Sequence, residues 1–322
     1  MRPSDAGLPE VRASGRGCDN RSNRVRRAAA LNVSEEGSFP GPFLAVLTHL
    51  RWHYQVCILS GGYLFGGVLA GASFSPVFLF HFGVIHLLLF GGATLYNSWF
   101  DKDEGPIGGL VDPPPLPRWS HFFAWVLQGL GALLSAGMGL AYLGLYALSV
   151  LTFWAYSRPG IRWKGHPWLS LLAIGLSTGT NSVLFGYLAG GGILNSGALV
   201  AAVGAAGMVL SLYPVSQIYQ MAEDHRRGDR TFAGRYGLPG VRRFFSVSYV
   251  LGVLLSTCGF WLLRPGYALL FLLLATATGL SLALALTRLQ GESKEYNTVM
   301  RIKYATSLAF VVFMAGILAG LY

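Results

Sequence analysis

The chain has 322 residues, of which 53% are apolar and only 12% charged, with a formal net charge of +10. That is about half the roughly 25% charged residues of a soluble domain, and the mean hydropathy is +0.49, which excludes an ordinary soluble globular protein and points to a polytopic membrane protein. The positive charge reads as a topology signal with some attraction to anionic lipid, and no nucleic-acid partner is expected.

Residues 1–42 open the chain with an Arg-, Ser- and Gly-rich stretch that has no apolar run of the kind a secretory signal needs. Asp5, Glu10, Asp19, Glu35 and Glu36 also set it apart from an acid-poor transit peptide. It reads as a disordered, basic cytoplasmic tail ahead of one membrane domain over 43–322. Apolar runs of about 20 residues then follow at 54–72, 76–99, 119–137, 139–157, 167–189, 194–219, 243–263, 266–287 and 303–321. These nine runs are long and apolar all round, so they predict membrane helices and not the short alternating strands of a barrel. Glycine-rich stretches such as GGYLFGGVLAG suit helices that pack closely, kink or line a cavity.

With the spans so placed, 23 of the 24 Lys and Arg precede span one or fall after spans two, four, six and eight, and Arg264 alone lies on the other side. The positive-inside rule then predicts a cytoplasmic N-terminus and an external C-terminus. Cys18, Cys57 and Cys258 are far apart and form no CxxC pair, so neither a disulfide framework nor a zinc site is predicted.

All 14 acidic residues share the predicted cytoplasmic face, and seven fall in two short segments. One segment ends span two and carries Asp101, Asp103, Glu104 and nearby Asp112; the other ends span six and carries Glu223, Asp224 and Asp229. On a helix continuing from span two, Asn97, Asp101 and Glu104 lie within roughly 60° of one another. Gln220, Glu223, Asp224 and Arg227 repeat the pattern after span six, with a break predicted at Gly228. Facing carboxylate stripes repel unless cations lie between them, and hard oxygen donors select magnesium held together with substrate phosphates. The same pattern also fits solvated loop charges that balance Arg226, Arg227 and Arg230.

The run Asn97, Ser98, Trp99, Phe100, Asp101, Lys102, Asp103, Glu104, Gly105 resembles the NDxxDxxxD motif that follows the second helix in the UbiA family of intramembrane prenyltransferases. The family's second motif, DxxxD followed by Gly and Thr, is similar to Gln220 through Asp224 leading into Gly228 and Thr231. YSRPGIRWKGHP, Tyr156 to Pro167, resembles the family's basic loop after the fourth helix. Ser98 and Gly105 stand where the first motif has Asp, and Gln220 where the second does.

The resemblance implies an all-α bundle of nine transmembrane helices around a central cavity, with its active-site face cytoplasmic. It further implies Mg2+-dependent transfer of an isoprenoid chain from a prenyl diphosphate to an acceptor, commonly a small aromatic or quinone precursor, within the lipid bilayer. Asp101 and Asp224 become the catalytic carboxylates, and Asp101, Asp103, Glu104, Glu223 and Asp224 the metal ligands. Asn97, Arg162, Lys164, Gln220 and Arg227 become the diphosphate-binding set. Tyr96, Trp99 and Tyr219 are assigned to stabilising an allylic cation, with interfacial belt aromatics as the alternative. Competing readings are a transporter, which would carry its ionisable residues near the midplane, and a catalytically silent isoprenoid-lipid-binding homologue.

Overall fold

The computed structural model describes residues 41–102 and 105–321, so the predicted tail lies outside the described residues except for Gly41 and Pro42. Pro42 already belongs to structure: it starts α1, Pro42–Leu50, a helix whose missing first N–H costs nothing at N1. Ala45, Val46, His49 and Leu50 of α1 are buried while Phe43 and Leu44 are exposed, so the helix is amphipathic. Arg51 ends it in the left-handed region at φ 51°.

Among the described residues the regular elements are all helical, with one isolated bridge between Ile107 and Leu110. After α1 come α2, residues 52–70, and then α3 Pro76–Asp101, α4 Ser120–Met138, α5 Leu140–Ser157, α6 Pro167–Ala189, α7 Ser196–Arg227, α8 Phe232–Leu263, α9 Pro265–Thr287 and α10 Ser293–Leu318. Among the described residues, α3 to α10 are the eight helices long and apolar enough to cross a membrane. The remaining predicted span, the first at 54–72, is α2, whose first turns carry His53, Tyr54 and Gln55 and are therefore less apolar than a full crossing segment.

Two predicted spans differ in their ends. The run at 194–219 does not stay one regular helix: the chain tightens into a 3-10 stretch at Pro214–Gln220, because Pro214 removes a helix donor, before α-helix resumes over Met221–Arg227. Helix α8 begins at Phe232, eleven residues ahead of the predicted 243, but it is broken by Gly237 at φ 59°, ψ −173°, two residues before Pro239.

Main chains touch where the helices cross. A Cβ on Gly66 would lie 1.9 Å from the Val183 carbonyl oxygen, and one on Gly186 would lie 1.8 Å from that of Tyr63, so α2 and α6 meet backbone to backbone. Gly204 and Gly252 do the same for α7 and α8, the most extensively packed pair. Asn181 donates to Ser149 Oγ at 2.9 Å, the bond to a neighbouring helix that its position inside span five predicts.

Elsewhere the helices are deliberately irregular. Gln55–Leu59, Val84–Phe90 and Gly175–Thr180 are π-helical, and each contributes a cavity-lining residue, as does the 3-10 stretch of α7. A wide or narrow turn leaves backbone groups and side chains out of the regular packing register, which suits helices facing a cavity better than helices facing lipid.

Candidate active site

A cavity of about 260 Å³ opens between α2, α3, α5, α6, α7 and α10. Its lining is aromatic and polar around Phe90, Phe153, Tyr156, Tyr213 and Tyr219, with Arg51 and Lys303 on the wall and Asn97 and Gln220 toward the two motifs. The hydroxyls of Tyr156 and Tyr213 are 2.9 Å apart.

The first motif is built on the last turn of α3. The helix stops at Asp101, because Lys102 takes a left-handed conformation at φ 47°, so the predicted stripe holds Asn97 and Asp101 and does not run on as helix. Asp103 and Glu104 lie outside the described residues. Asn97 donates to Asp101 Oδ2 at 2.6 Å and to Ser157 Oγ at 3.0 Å, fixing the carboxylate against α5.

The second motif is set by the end of α7. Gly228 at φ 76° closes the helix with bonds from its own N–H to His225 and from the Asp229 N–H to the Asp224 carbonyl, a Schellman arrangement that needs a residue free of a Cβ. That turn brings Asp229 back beside the helix. The Thr231 hydroxyl bonds the Asp224 carboxylate and receives the Gly234 N–H, so it caps α8 and holds the motif at once. Glu223 accepts from Arg227 at 2.6 Å, one turn on.

The basic loop after α5 joins the two motifs. Arg162 sits in the left-handed region at φ 39° and donates to Asp229 through Nε at 2.9 Å and Nη2 at 2.8 Å, a bidentate pair. Its Nη1 is 3.5 Å from Asp101. Lys164 Nζ reaches Asp101 Oδ2 at 2.5 Å, and the Asp101 side chain is only 2% exposed. The Arg230 N–H donates to the Gly165 carbonyl at 2.9 Å, a main-chain tie between the same two segments. Glu223 Oε2 stands 3.2 Å from where a Cβ on Gly105 would be, and Gln220 Nε2 donates to Pro106 at 3.4 Å. The segments that end α3 and α7 therefore meet, with the loop after α5 between them.

Of the residues singled out in the sequence, the structure gathers Asn97, Asp101, Arg162, Lys164, Gln220 and Asp224 around this junction, with Tyr219 in the cavity wall. Glu223 and Arg227 pair with each other at its edge. Two assignments need correction. Tyr96 is buried in a separate cluster against Phe100, Trp125 and Trp154, and Trp99 stacks on His121 at 5.1 Å; neither lines the cavity, because both project from the face of α3 turned toward α4. The aromatic wall is supplied instead by Tyr156, Tyr213, Phe90 and Phe153. Tyr156 heads the basic-loop motif, a legible signal, whereas nothing in an apolar run marks Phe90 or Phe153. Asp229 was visible only as one acid among several, since its pairing depends on the Gly228 turn.

The donors collected here from Asp101, Glu223, Asp224 and Asp229 are all carboxylate oxygens, which suits a hard divalent cation. Among the described residues no three His, Cys, Asp or Glu side chains are close enough to cage an ion by themselves.

The UbiA prenyltransferase family model matches residues 59–313. No significant match is found among curated proteins. Among solved structures, a UbiA homolog from Archaeoglobus fulgidus bound to DMAPP and Mg2+ superposes with a TM-score of 0.66 at 15% identity, covering 86% of this chain and 100% of that one. The same homolog bound to GPP and Mg2+ gives 0.66 at 16% identity, covering 84% and 99%. A structure described as giving insights into the biosynthesis of digeranylgeranylglyceryl phosphate synthase in membranes gives 0.56 at 20% identity, again over 84% and 99%. These likenesses establish a shared fold.

Proposed function

The chain belongs to the UbiA prenyltransferase family, and on that premise we propose that it transfers an isoprenoid chain from a prenyl diphosphate to a small aromatic or quinone-precursor acceptor, with magnesium at the diphosphate. It is an integral multi-pass membrane prenyltransferase. The observation that carries the reading is the junction of the two acidic segments through Arg162 and Lys164 beside an aromatic cavity. The family neighbours bound to DMAPP or GPP with Mg2+ support the donor and the metal.

In this reading Asp101 and Asp224 would hold magnesium, with Glu223 from the second motif and Asp103 and Glu104 from the first as further ligands. The metal would supply Lewis-acid stabilisation of charge on the departing diphosphate. Arg162 and Lys164 bind diphosphate oxygens as charge-assisted donors, and Asn97, Gln220 and Arg227 complete the polar surround. The allylic C–O bond breaks with both electrons staying on diphosphate. The carbocation left behind is attacked by a nucleophilic carbon of the acceptor, which then loses its proton. The ring faces of Tyr219, Tyr156, Phe90 and Phe153 stabilise the cation and, with the apolar helices around them, keep water from quenching it. The active-site end faces the cytoplasm, as the distribution of Lys and Arg favours.

Purified protein incubated with geranyl diphosphate, magnesium and a panel of acceptors tests this. Transfer that requires magnesium and is lost in Asp101→Asn and Asp224→Asn supports it. Flux of isoprenoid across liposomes with no product would support a transporter instead, and prenyl diphosphate binding without turnover a silent homologue.

A further inference from the structure

The cavity lining stops at a definite depth on every helix that forms it. Going away from the two motifs, the last lining residue is Leu59 on α2, Phe90 on α3, Phe153 on α5, Thr178 on α6, Val209 on α7 and Ser307 on α10. One helical turn deeper stand Tyr63, His86, Ser149, Asn181, Ala206 and Phe310, none of which lines the cavity.

These deeper residues close the space between their helices. The rings of Tyr63 and His86 meet edge-on at 5.8 Å, and Asn181 donates to Ser149 Oγ at 2.9 Å. A Cβ on Gly179 would lie 2.6 Å from Ala206 Cα, and one on Gly61 would lie 2.6 Å from the Phe310 ring. Between α2 and α6, a Cβ on Gly62 would lie 2.7 Å from Ser182 Oγ. Tyr63, His86, Ser149 and Asn181 are buried, so the cavity ends on a packed floor, and packing seated that closely on glycines has no slack for a ligand pressing from above.

The floor sets a length. Asn97 marks the level where the lining meets the first motif, and Phe90 lies seven residues deeper, about 10 Å along a helix. Each isoprene unit adds four bonds to an extended chain, about 5 Å at ordinary carbon–carbon bond lengths. Two units span the distance, and a third has to fold back or leave sideways. Between α2 and α10 the sideways route is shut by Phe310 against Gly61 and by Lys303, whose Nζ donates to the Tyr54 hydroxyl at 2.9 Å.

We infer that this floor is the ruler for the donor: the enzyme takes a prenyl diphosphate of two isoprene units and discriminates against chains of three or more, with Leu59, His86 and Ser307 as the residues that set the limit. The inference rests on the prenyltransferase reading and deepens it by naming the donor's length. Leu59 and Ser307 bound the bottom of the cavity, and His86, edge-on to Phe90 at 5.5 Å, supports it from below.

The test is calorimetric binding to the purified full chain, with magnesium and without acceptor, of the diphosphates of dimethylallyl, geranyl, farnesyl and geranylgeranyl alcohols. The wild type is expected to bind geranyl diphosphate about tenfold or more tighter than either longer chain. Ser307→Phe, which fills the floor, is expected to weaken geranyl diphosphate about tenfold while leaving dimethylallyl diphosphate as it was. Leu59→Ala and His86→Ala, which deepen it, are expected to bring farnesyl diphosphate to within about threefold of geranyl. Thermal unfolding in detergent selects the variants that fold, and the wild-type series decides without any of them. Farnesyl or geranylgeranyl diphosphate binding the wild type as tightly as geranyl overturns the inference. So does a folded Ser307→Phe that weakens the dimethylallyl and geranyl diphosphates by the same factor, or a folded Leu59→Ala and His86→Ala that both keep the wild-type order. Equal binding of all four chains removes the ruler alone, whereas binding of none of them removes the prenyltransferase reading.

Discussion

Arg162 and Asp229 form a bidentate pair, 2.9 and 2.8 Å long, between the loop after α5 and the turn that closes α7. The pair holds a non-glycine residue at φ 39°, a left-handed conformation that an L side chain adopts only when its surroundings impose it. It also sets the other edge of the guanidinium toward Asp101.

Asp229→Asn keeps the shape of that contact but removes its charge. The expected result is a KM for the prenyl diphosphate raised about tenfold, with acceptor KM unchanged, and partial recovery in Asp229→Glu. Steady-state kinetics with each substrate varied in turn checks this, and an equal rise in both KM values would contradict it.

Asp101→Ala strips the carboxylate from Lys164, and one of two from Arg162, in a site where that carboxylate is only 2% exposed. A fully buried pair would lose about 3–5 kcal/mol, and because Arg162 is 29% exposed the expected loss is about 2 kcal/mol. Thermal unfolding in detergent measures it. Asp101→Asn, which retains hydrogen bonding, is expected to be destabilised less yet to lose at least about 100-fold in turnover if the carboxylate holds magnesium.

The glycine contacts between α2 and α6 predict a sharp contrast. Gly66→Ala or Gly186→Ala forces a methyl to within 2 Å of a carbonyl oxygen and is expected to cost at least about 3 kcal/mol, since main chain cannot step aside as a side chain can. Gly83→Ala, where nothing stands within 4 Å, is expected to leave stability within about 1 kcal/mol of the parent. Parallel unfolding curves of the three variants decide the matter.

The placement of the aromatics gives another. Tyr96→Phe is expected to leave kcat unchanged, because that ring lies in the cluster with Trp125 and Trp154, outside the cavity. Tyr219→Ala is expected to lower kcat about tenfold, because its ring is in the cavity wall and packs edge-on to Tyr296 at 5.1 Å. Comparable losses in both would place the cation elsewhere.

Much of the fold was legible in the sequence because lipid imposes long apolar helices, and eight of the predicted spans correspond to α3 through α10. Span one was less plain, since the polar start of α2 that lines the cavity weakens its apolar signal. The stripe through Asn97 and Asp101 and the break at Gly228 followed from helical periodicity and glycine chemistry, and the structure has both. The α3 stop at Lys102 was not legible, since a left-handed lysine leaves no trace in the residue pattern. The misplacement of Tyr96 and Trp99 has the same root: proximity in sequence to Asp101 does not say which side of the helix turns inward, and here the inward side belongs to Asn97 and Ala93. Tyr213 joined Tyr156 only through the tertiary approach of α5 and α7.

Because α2 and α6 touch through their peptide groups at Gly66 and Gly186, neither can slide or roll past the other without prising that seam apart. Any breathing of the bundle is therefore left to helices outside that seam, around a pillar that stays put.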